Sequence, residues 1–238
     1  LARAQKIITV SEFVKDDLKA VYNTKEEKVF VANNAAREVF KPLEPSAAER
    51  VRETYTGGKP YMLYVGAIHP RKNVSLILQG FEYMKSKYPS DLKLVLLGRM
   101  AWQTDDFERK IKESPVSKDI VLPGYCTSET LVEITAAAKA MIYVSKSEGF
   151  GIPLLEAMRC DVPLVISDQT SLPEVAGDAA LVVGINDYED LGEKMHALNT
   201  SEELRERLIN KGRNRVSYYT WDRAAAVCYD AIKTAATD

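Results

Sequence analysis

Ser147-Glu148-Gly149-Phe150-Gly151-Ile152-Pro153-Leu154-Leu155-Glu156-Ala157-Met158 is the stretch on which the reading of this chain turns. Ahead of it, Ala140-Met141-Ile142-Tyr143-Val144 is a short apolar run that predicts a buried strand. Gly149 and Gly151 permit a tight turn that side chains would obstruct. Pro153 suits the first turn of a helix, where its missing N–H costs nothing. Strand, glycine loop and helix start, in that order, put backbone N–H groups and the positive end of a helix dipole beyond a strand's carboxyl end. Open α/β sheets bind phosphorylated ligands there, so the geometry suits an anion.

Working outward, the same alternation recurs. Strands are predicted at residues 6–10, 28–32, 61–65, 92–97, 119–122, 141–144, 163–167 and 181–183. Ser11 is placed to cap a helix to about residue 22, and Ser46-Ala47-Ala48-Glu49 has the form of a capping box that opens a helix closed by Gly57-Gly58. Asn73 is a candidate cap for a helix with apolar positions at Val74, Ile77, Leu78, Phe81 and Met84. Further helices are expected at residues 102–112 and 128–138, a small segment at 172–176 follows the strand at 163–167, and the tail reads as three more helices at 188–198, 202–217 and 221–233. Strands alternating with helices of this length predict an α/β fold, a doubly wound, mainly parallel Rossmann-like sheet. Residues 42–45 read as a linker. The expected division is residues 1–45 as a segment joining to another half, 46–220 as the Rossmann-like domain, and 221–238 as a crossover helix.

With 238 residues, 46% hydrophobic and 28% charged, the chain has material for one sizeable core. A net charge of -2 gives no reason to expect nucleic acid or an anionic membrane as an electrostatic partner. No apolar run approaches the roughly 18 residues of a transmembrane segment. Cys126, Cys160 and Cys228 lack paired metal-ligand spacing, and an odd number argues against a complete disulfide framework, so a reducing cytoplasm is the expected compartment. The chain starts at Leu1 rather than Met, which reads as a fragment.

Glu148 and Glu156 are eight positions apart, one in the loop and one about a turn into the helix, so they reach different parts of a ligand. Carboxylates accept pairs of hydrogen bonds of the kind vicinal sugar hydroxyls offer. With an anion site between them, a nucleotide sugar fits. By spacing alone, a helix cap and a solvated surface carboxylate are the commoner explanation of such a pair.

The window Glu148-Gly-Phe-Gly-Ile-Pro-Leu-Leu-Glu156-Ala-Met closely resembles the donor-binding signature of retaining glycosyltransferases of family 4, which have the two-domain GT-B fold. Further pieces of the pattern recur from Ile7 to Trp221. They include Asn33-Asn34-Ala35-Ala36 where the family has Asn-Gly-Val-Asp, Val65-Gly66-Ala67 before Arg71-Lys72, Gly98-Arg99, Gly124-Tyr125 and Ser171-Leu172-Pro173-Glu174. The resemblance implies a donor site made of Gly66, Arg71, Lys72, Tyr125, Glu148, Gly149, Phe150, Gly151, Ile152, Leu154 and Glu156. Arg71, Lys72 and Glu148 would be catalytic, the cations by stabilising the departing diphosphate and Glu148 by holding hydroxyls of the transferred sugar. Glu156 would hold the ribose, the backbone of residues 149–152 would meet sugar and phosphate oxygens, and Tyr125 would stack on the base or pack half-buried. Ala67 stands where relatives carry an arginine, so one phosphate contact is absent or passes to Arg71. Glu174 and Phe150 read as structural. His69 reads as a loop histidine that either meets ligand or stands by, and His196 receives no role.

Neither a Gly-x-Gly-x-x-Gly fingerprint after the first strand, a Gly-Lys-Ser/Thr phosphate loop nor a nucleophile elbow is found. The resemblance implies a metal-independent transfer of a hexose, from a nucleoside-diphosphate sugar to a saccharide or lipid-linked acceptor in polysaccharide biosynthesis, with no cofactor. The form of residues 65–73 tilts the donor toward GDP-mannose over a UDP-sugar. A missing N-terminal half would bind the acceptor, and the full enzyme would be cytoplasmic or peripheral to the inner face of the membrane. Two alternatives stay open: another GT-B chemistry, such as a nucleotide-sugar epimerase or a phosphorylase, and a nucleotide-sugar-binding module without transfer activity.

Overall fold

A computed structural model of the protein describes residues 3–100 and 105–237. The apolar runs form a six-stranded sheet, parallel throughout, from β3 (Tyr61–Val65), β4 (Lys93–Leu97), β5 (Ile120–Gly124), β6 (Ala140–Tyr143), β7 (Leu164–Ser167) and β8 (Ala180–Val183). Central strands of such a sheet are covered on both faces, which is why they read as unbroken apolar runs rather than alternating ones. Tyr61 to Tyr64, Leu94 to Leu96 and Ala140 to Val144 are accordingly buried. Two shorter strands, β1 (Ile7–Thr9) and β2 (Val29–Val31), pair in parallel as a separate ribbon.

Strand order in the large sheet is β5-β4-β3-β6-β7-β8. The chain winds from β3 outward to β5, then returns to lay β6 along the other side of β3, with Met62 opposite Ala140. Right-handed crossovers place the connecting helices of the two halves on opposite faces. On one face α3 (Val74–Lys87) packs against α8 (Tyr188–Thr200). On the other, α2 (Pro45–Thr56), α5 (Ser128–Ala136), α6 (Ile152–Arg159) and α9 (Glu202–Val216) pack in succession. The reversal between β3 and β6 is a topological switch point, and it opens a crevice at the carboxyl ends of those two strands.

The ribbon strands lie beside α1 (Glu12–Tyr22) and the last helix, α10 (Trp221–Thr237). α4 (Asp105–Glu113) connects β4 to β5, and the short α7 (Leu172–Ala176) connects β7 to β8. The start expected for α4 at Trp102 lies outside the described residues.

Several local expectations change. Ser46 caps nothing: Pro45 opens α2 with Glu44 at the cap position, so Ser46 already lies inside the helix. Proline's fixed φ favours that first position. Asn73 also fails as a side-chain cap, because it sits at a φ of 57° in the left-handed region and its amide donates instead to the Ile185 carbonyl at 2.9 Å. Ser11 does cap α1, accepting from the Val14 N–H, and Gly57 closes α2 at a φ of 60°. Among the described residues no helix is long and apolar enough to cross a membrane.

Candidate functional site

Two glycines shape the floor of the crevice. Gly66 directly follows β3 and Gly98 directly follows β4, at positive φ values of 142° and 149°. A Cβ on Gly98 would stand 2.0 Å from the Gly66 carbonyl oxygen, so only glycine lets these strand ends approach. Both glycines line a cavity of about 660 Å³, together with Ala67, Arg99, Tyr125 and Ser128 among others. Tyr125 stands at its edge, 86% exposed.

The loop after β3 turns through a 3-10 turn at Pro70–Lys72, which His69 caps by accepting the Arg71 N–H on Nδ1 at 3.1 Å. The loop after β6 runs alongside it, with the Lys146 N–H donating to the Arg71 carbonyl at 2.9 Å. The side chains converge where the two loops meet. Arg71 Nη1 donates to the Ser147 carbonyl at 2.6 Å and lies 3.5 Å from Glu148 Oε2. The Lys72 ammonium pairs directly with Glu148 Oε1 and donates to the Tyr143 hydroxyl at 3.0 Å. That hydroxyl donates in turn to Glu148 Oε1 at 3.1 Å. Burial, and then the neighbouring Glu148 charge, push the Tyr143 pKa far up, so it stays a neutral donor. Two cations around one carboxylate leave the cluster one positive charge in excess, which is the sign a diphosphate requires.

The Glu148 loop is held from below. Thr170 Oγ1 accepts the Glu148 N–H at 3.1 Å, and Ser171 Oγ bonds the carbonyls of Glu148 and Phe150 at 3.0 Å each. Thr170 adopts a φ of 56°, a strained conformation for a β-branched residue. Gly151, at a φ of 106°, then carries the chain into α6, where an added Cβ would meet Leu172 at 2.9 Å.

Glu156 sits one turn into α6 and is only 7% exposed. Burial raises its pKa, and Arg37 opposes that shift from 3.2 Å and 3.3 Å. Arg37 Nη1 also lies 3.4 Å from Ser128 Oγ on the cavity rim, so Glu156 and the cavity share one neighbour.

The structure therefore brings Arg71, Lys72 and Glu148 into one cluster, places Gly66 and Tyr125 on the cavity, and sets Glu156 on the helix beside it. Leu154 does not reach the crevice: it is wholly buried and its N–H donates to the Gly151 carbonyl at 3.0 Å. Phe150 packs edge-on against Tyr219, with ring centroids 5.5 Å apart. Gly149 is exposed and Ile152 partly so. The Glu174 carboxylate accepts the N–H groups of Glu12 and Phe13 at 2.9 Å each, an anionic cap on α1. His196 stacks on Tyr88 away from the site.

Sequence reading missed Tyr143, Thr170 and Arg37. Tyr143 looked like one more apolar strand residue, although its hydroxyl just before the glycine loop was a signal. Thr170 and Arg37 sit in loops whose conformation no periodicity reveals.

Residues 46–215 match the family described as Glycosyl transferases group 1. The chain is 30% identical over 234 residues to O-antigen chain mannosyltransferase B of Escherichia coli, covering 98% of this chain and 61% of that protein. It is 26% identical over 220 residues to O-antigen chain mannosyltransferase RfbU of Salmonella typhimurium, covering 92% and 57% respectively. The chain thus spans about three fifths of the length of these curated relatives. Among solved structures, Anabaena Alr3699/HepE in complex with UDP and glucose superposes with a TM-score of 0.83 at 14% identity, over 98% of this chain and 64% of that one. The C-terminal domain of the group 1 family protein LpcC from Francisella tularensis superposes with a TM-score of 0.68 at 22% identity, over 78% and 97%. At these identities the structural likeness speaks to the fold, a GT-B type Rossmann-like domain.

Proposed function

Since the chain belongs to the group 1 glycosyl transferases, we propose that it is the donor-binding half of a hexosyltransferase, and that the donor is a nucleoside-diphosphate mannose. The observation that carries this reading is the convergence of Arg71, Lys72 and Glu148 from the loops after β3 and β6, at the switch point and beside the 660 Å³ cavity. The nucleoside enters the cavity, with its ribose hydroxyls on Glu156. The diphosphate meets Arg71 and Lys72 and the N-terminus of α6, and hydroxyls of the sugar turn to Glu148.

On this reading the cations act as the sugar–phosphate bond breaks. Negative charge grows on the departing diphosphate, and ammonium and guanidinium groups already held in place stabilise it without reorganising. Lys72 is pre-positioned by Tyr143 and Glu148, and Arg71 by the Ser147 carbonyl. Neither serves as acid or base. We place the enzyme in family 4, with retention at the transferred carbon and no metal ion or other cofactor. The acceptor is a saccharide or lipid-linked saccharide, bound mainly by residues outside these 238, and the setting is cytoplasmic. The mannose assignment draws its support from relatives named as mannosyltransferases.

The test is a ligand-observed NMR titration of this chain with GDP, UDP, ADP and GDP-mannose, repeated on Glu156→Ala. Half a cleft binds weakly, and a Kd of about 0.1–1 mM is expected for the preferred donor. Binding of one diphosphate that is lost in Glu156→Ala supports the site. Absence of binding by all four at several millimolar overturns it.

A further inference from the structure

Arg37 lies outside the residues that match the family model, 46–215, and comes instead from the loop between β2 and α2. It nonetheless reaches the centre of the nucleoside end. Nε and Nη2 lie 3.3 Å and 3.2 Å from Glu156 Oε1, and Nη1 lies 3.4 Å from Ser128 Oγ. The ring of buried Phe40 stands 4.9 Å behind the guanidinium and fixes its plane. A guanidinium carries five N–H donors in a rigid fork, so these contacts leave donors unspent. The Ser128 contact is long and is readily exchanged for a better acceptor.

The cavity that Ser128 lines carries one cation, Arg99, and hydroxyls that either donate or accept. Among its described lining residues stand Arg99, Thr127 and Ser128, and no carboxylate. A nucleobase is read through the edge it presents: guanine and the uracil type offer carbonyl oxygens, whereas adenine and cytosine offer an amino group at the corresponding place. A guanidinium at the rim donates to the carbonyl oxygen of the first pair and has no acceptor to offer the amino group of the second.

Resting on the nucleotide-sugar reading above, we propose that Arg37 is the specificity-determining residue at the nucleoside end, selecting a base that presents the guanine O6 or uracil O4 carbonyl where adenine and cytosine present an amino group. One arm of its fork stays on Glu156, and Nη1 leaves Ser128 for the base. Specificity for the nucleotide is thereby set by a segment outside the matched domain, which positions the ribose carboxylate and reads the base with one side chain.

The experiment is a titration of the whole chain with GDP, UDP, CDP and ADP, on wild type, Arg37→Lys and Arg37→Ala. Arg37 is about half exposed, and a thermal melt of each variant checks that the fold is kept. Wild type is expected to favour GDP or UDP over ADP and CDP by about tenfold, a typical worth for one good base contact. Arg37→Ala brings the four ligands to within about threefold of one another, mainly by losing the favoured one. Arg37→Lys, which keeps the charge beside Glu156 but not the fork, loses the selectivity as well. An equal loss for all four ligands in Arg37→Ala overturns the proposal, since Arg37 then acts only through Glu156, and so does wild-type binding without base preference. If wild type binds none of the four, the nucleotide-sugar reading fails and takes this inference with it. Intact selectivity in Arg37→Ala sinks the inference alone.

Discussion

The Ser11 hydroxyl donates to the Gly149 carbonyl at 2.7 Å, across 138 residues of sequence. The same oxygen accepts the Val14 N–H, so one side chain caps α1 and anchors the glycine loop that carries Glu148. Glu174, just beyond that loop's support at Thr170 and Ser171, takes the first two N–H groups of the helix, those of Glu12 and Phe13. The start of the chain is thus bonded to the site at three points. Ser11→Ala removes a cap and leaves a carbonyl in a closed interface without its donor, at a cost of about 2 kcal/mol. For a chain of this size that is a fall in Tm of about 4–8 °C, measurable by calorimetry. A Tm within a degree of wild type would mean that the contact carries no weight.

Gly98 and Gly66 make a sharper case. The clash of a Gly98 Cβ with backbone at 2.0 Å cannot be relieved by a side-chain rotation. Gly98→Ala is expected to destabilise by more than about 3 kcal/mol or to abolish soluble expression. Gly57→Ala supplies the control, because its Cβ meets nothing within 4 Å and only the left-handed φ of 60° is strained. It should cost about 1 kcal/mol. Equal effects in urea denaturation would show that backbone conformation, and not the packing of the strand ends, decides both.

Much of this was legible in the sequence, for a physical reason. Strands buried on both faces must be apolar throughout, so the runs at residues 61–65 and 141–144 announced a parallel sheet, and Gly149, Gly151 and Pro153 announced where a loop becomes a helix. The cations at Arg71 and Lys72 and the carboxylate at Glu148 could be assigned to one edge because every βα loop of a parallel sheet emerges there. Pairing was a different matter. That Lys72 meets both Glu148 and Tyr143, or that Arg37 covers Glu156, depends on how segments more than 70 and more than 110 residues apart meet. Ser46 and Asn73 failed as caps because a neighbouring proline and a left-handed backbone overrode their side-chain preference.

The Lys72–Glu148 pair is nearly buried, with side chains 13% and 11% exposed, so breaking it strands a charge. Lys72→Met should cost about 3 kcal/mol, since Arg71 at 3.5 Å and the Tyr143 hydroxyl compensate Glu148 only in part. Lys72→Met combined with Glu148→Gln removes the stranded charge and should recover at least about 1 kcal/mol of that loss. Urea denaturation of the two single variants and the double variant closes the cycle. Simple additivity would show the two residues to be uncoupled despite their contact.

Glu156 ties stability and ligand affinity to pH in opposite directions. Burial lifts its pKa above the ordinary 4.5, with Arg37 working against the shift. A folded-state pKa above the unfolded one means that the folded protein binds the proton more tightly, so this group favours folding increasingly as pH falls through that raised value, and its ionisation costs stability above it. Glu156→Gln should therefore be more stable than wild type at pH 7, with the difference shrinking on acidification. In the proposed donor pose affinity runs the other way, because ribose hydroxyls placed on Glu156 need the charged carboxylate as acceptor. The ratio of wild-type to Glu156→Gln affinity for the preferred nucleoside diphosphate should be about tenfold at pH 7.5 and level between pH 7.5 and 8. It should decline as pH falls toward 5, while the ligand's own protonation cancels from the ratio. A ratio that stays level down to pH 4.5 would remove Glu156 from the ligand's reach and leave it as a buried partner of Arg37.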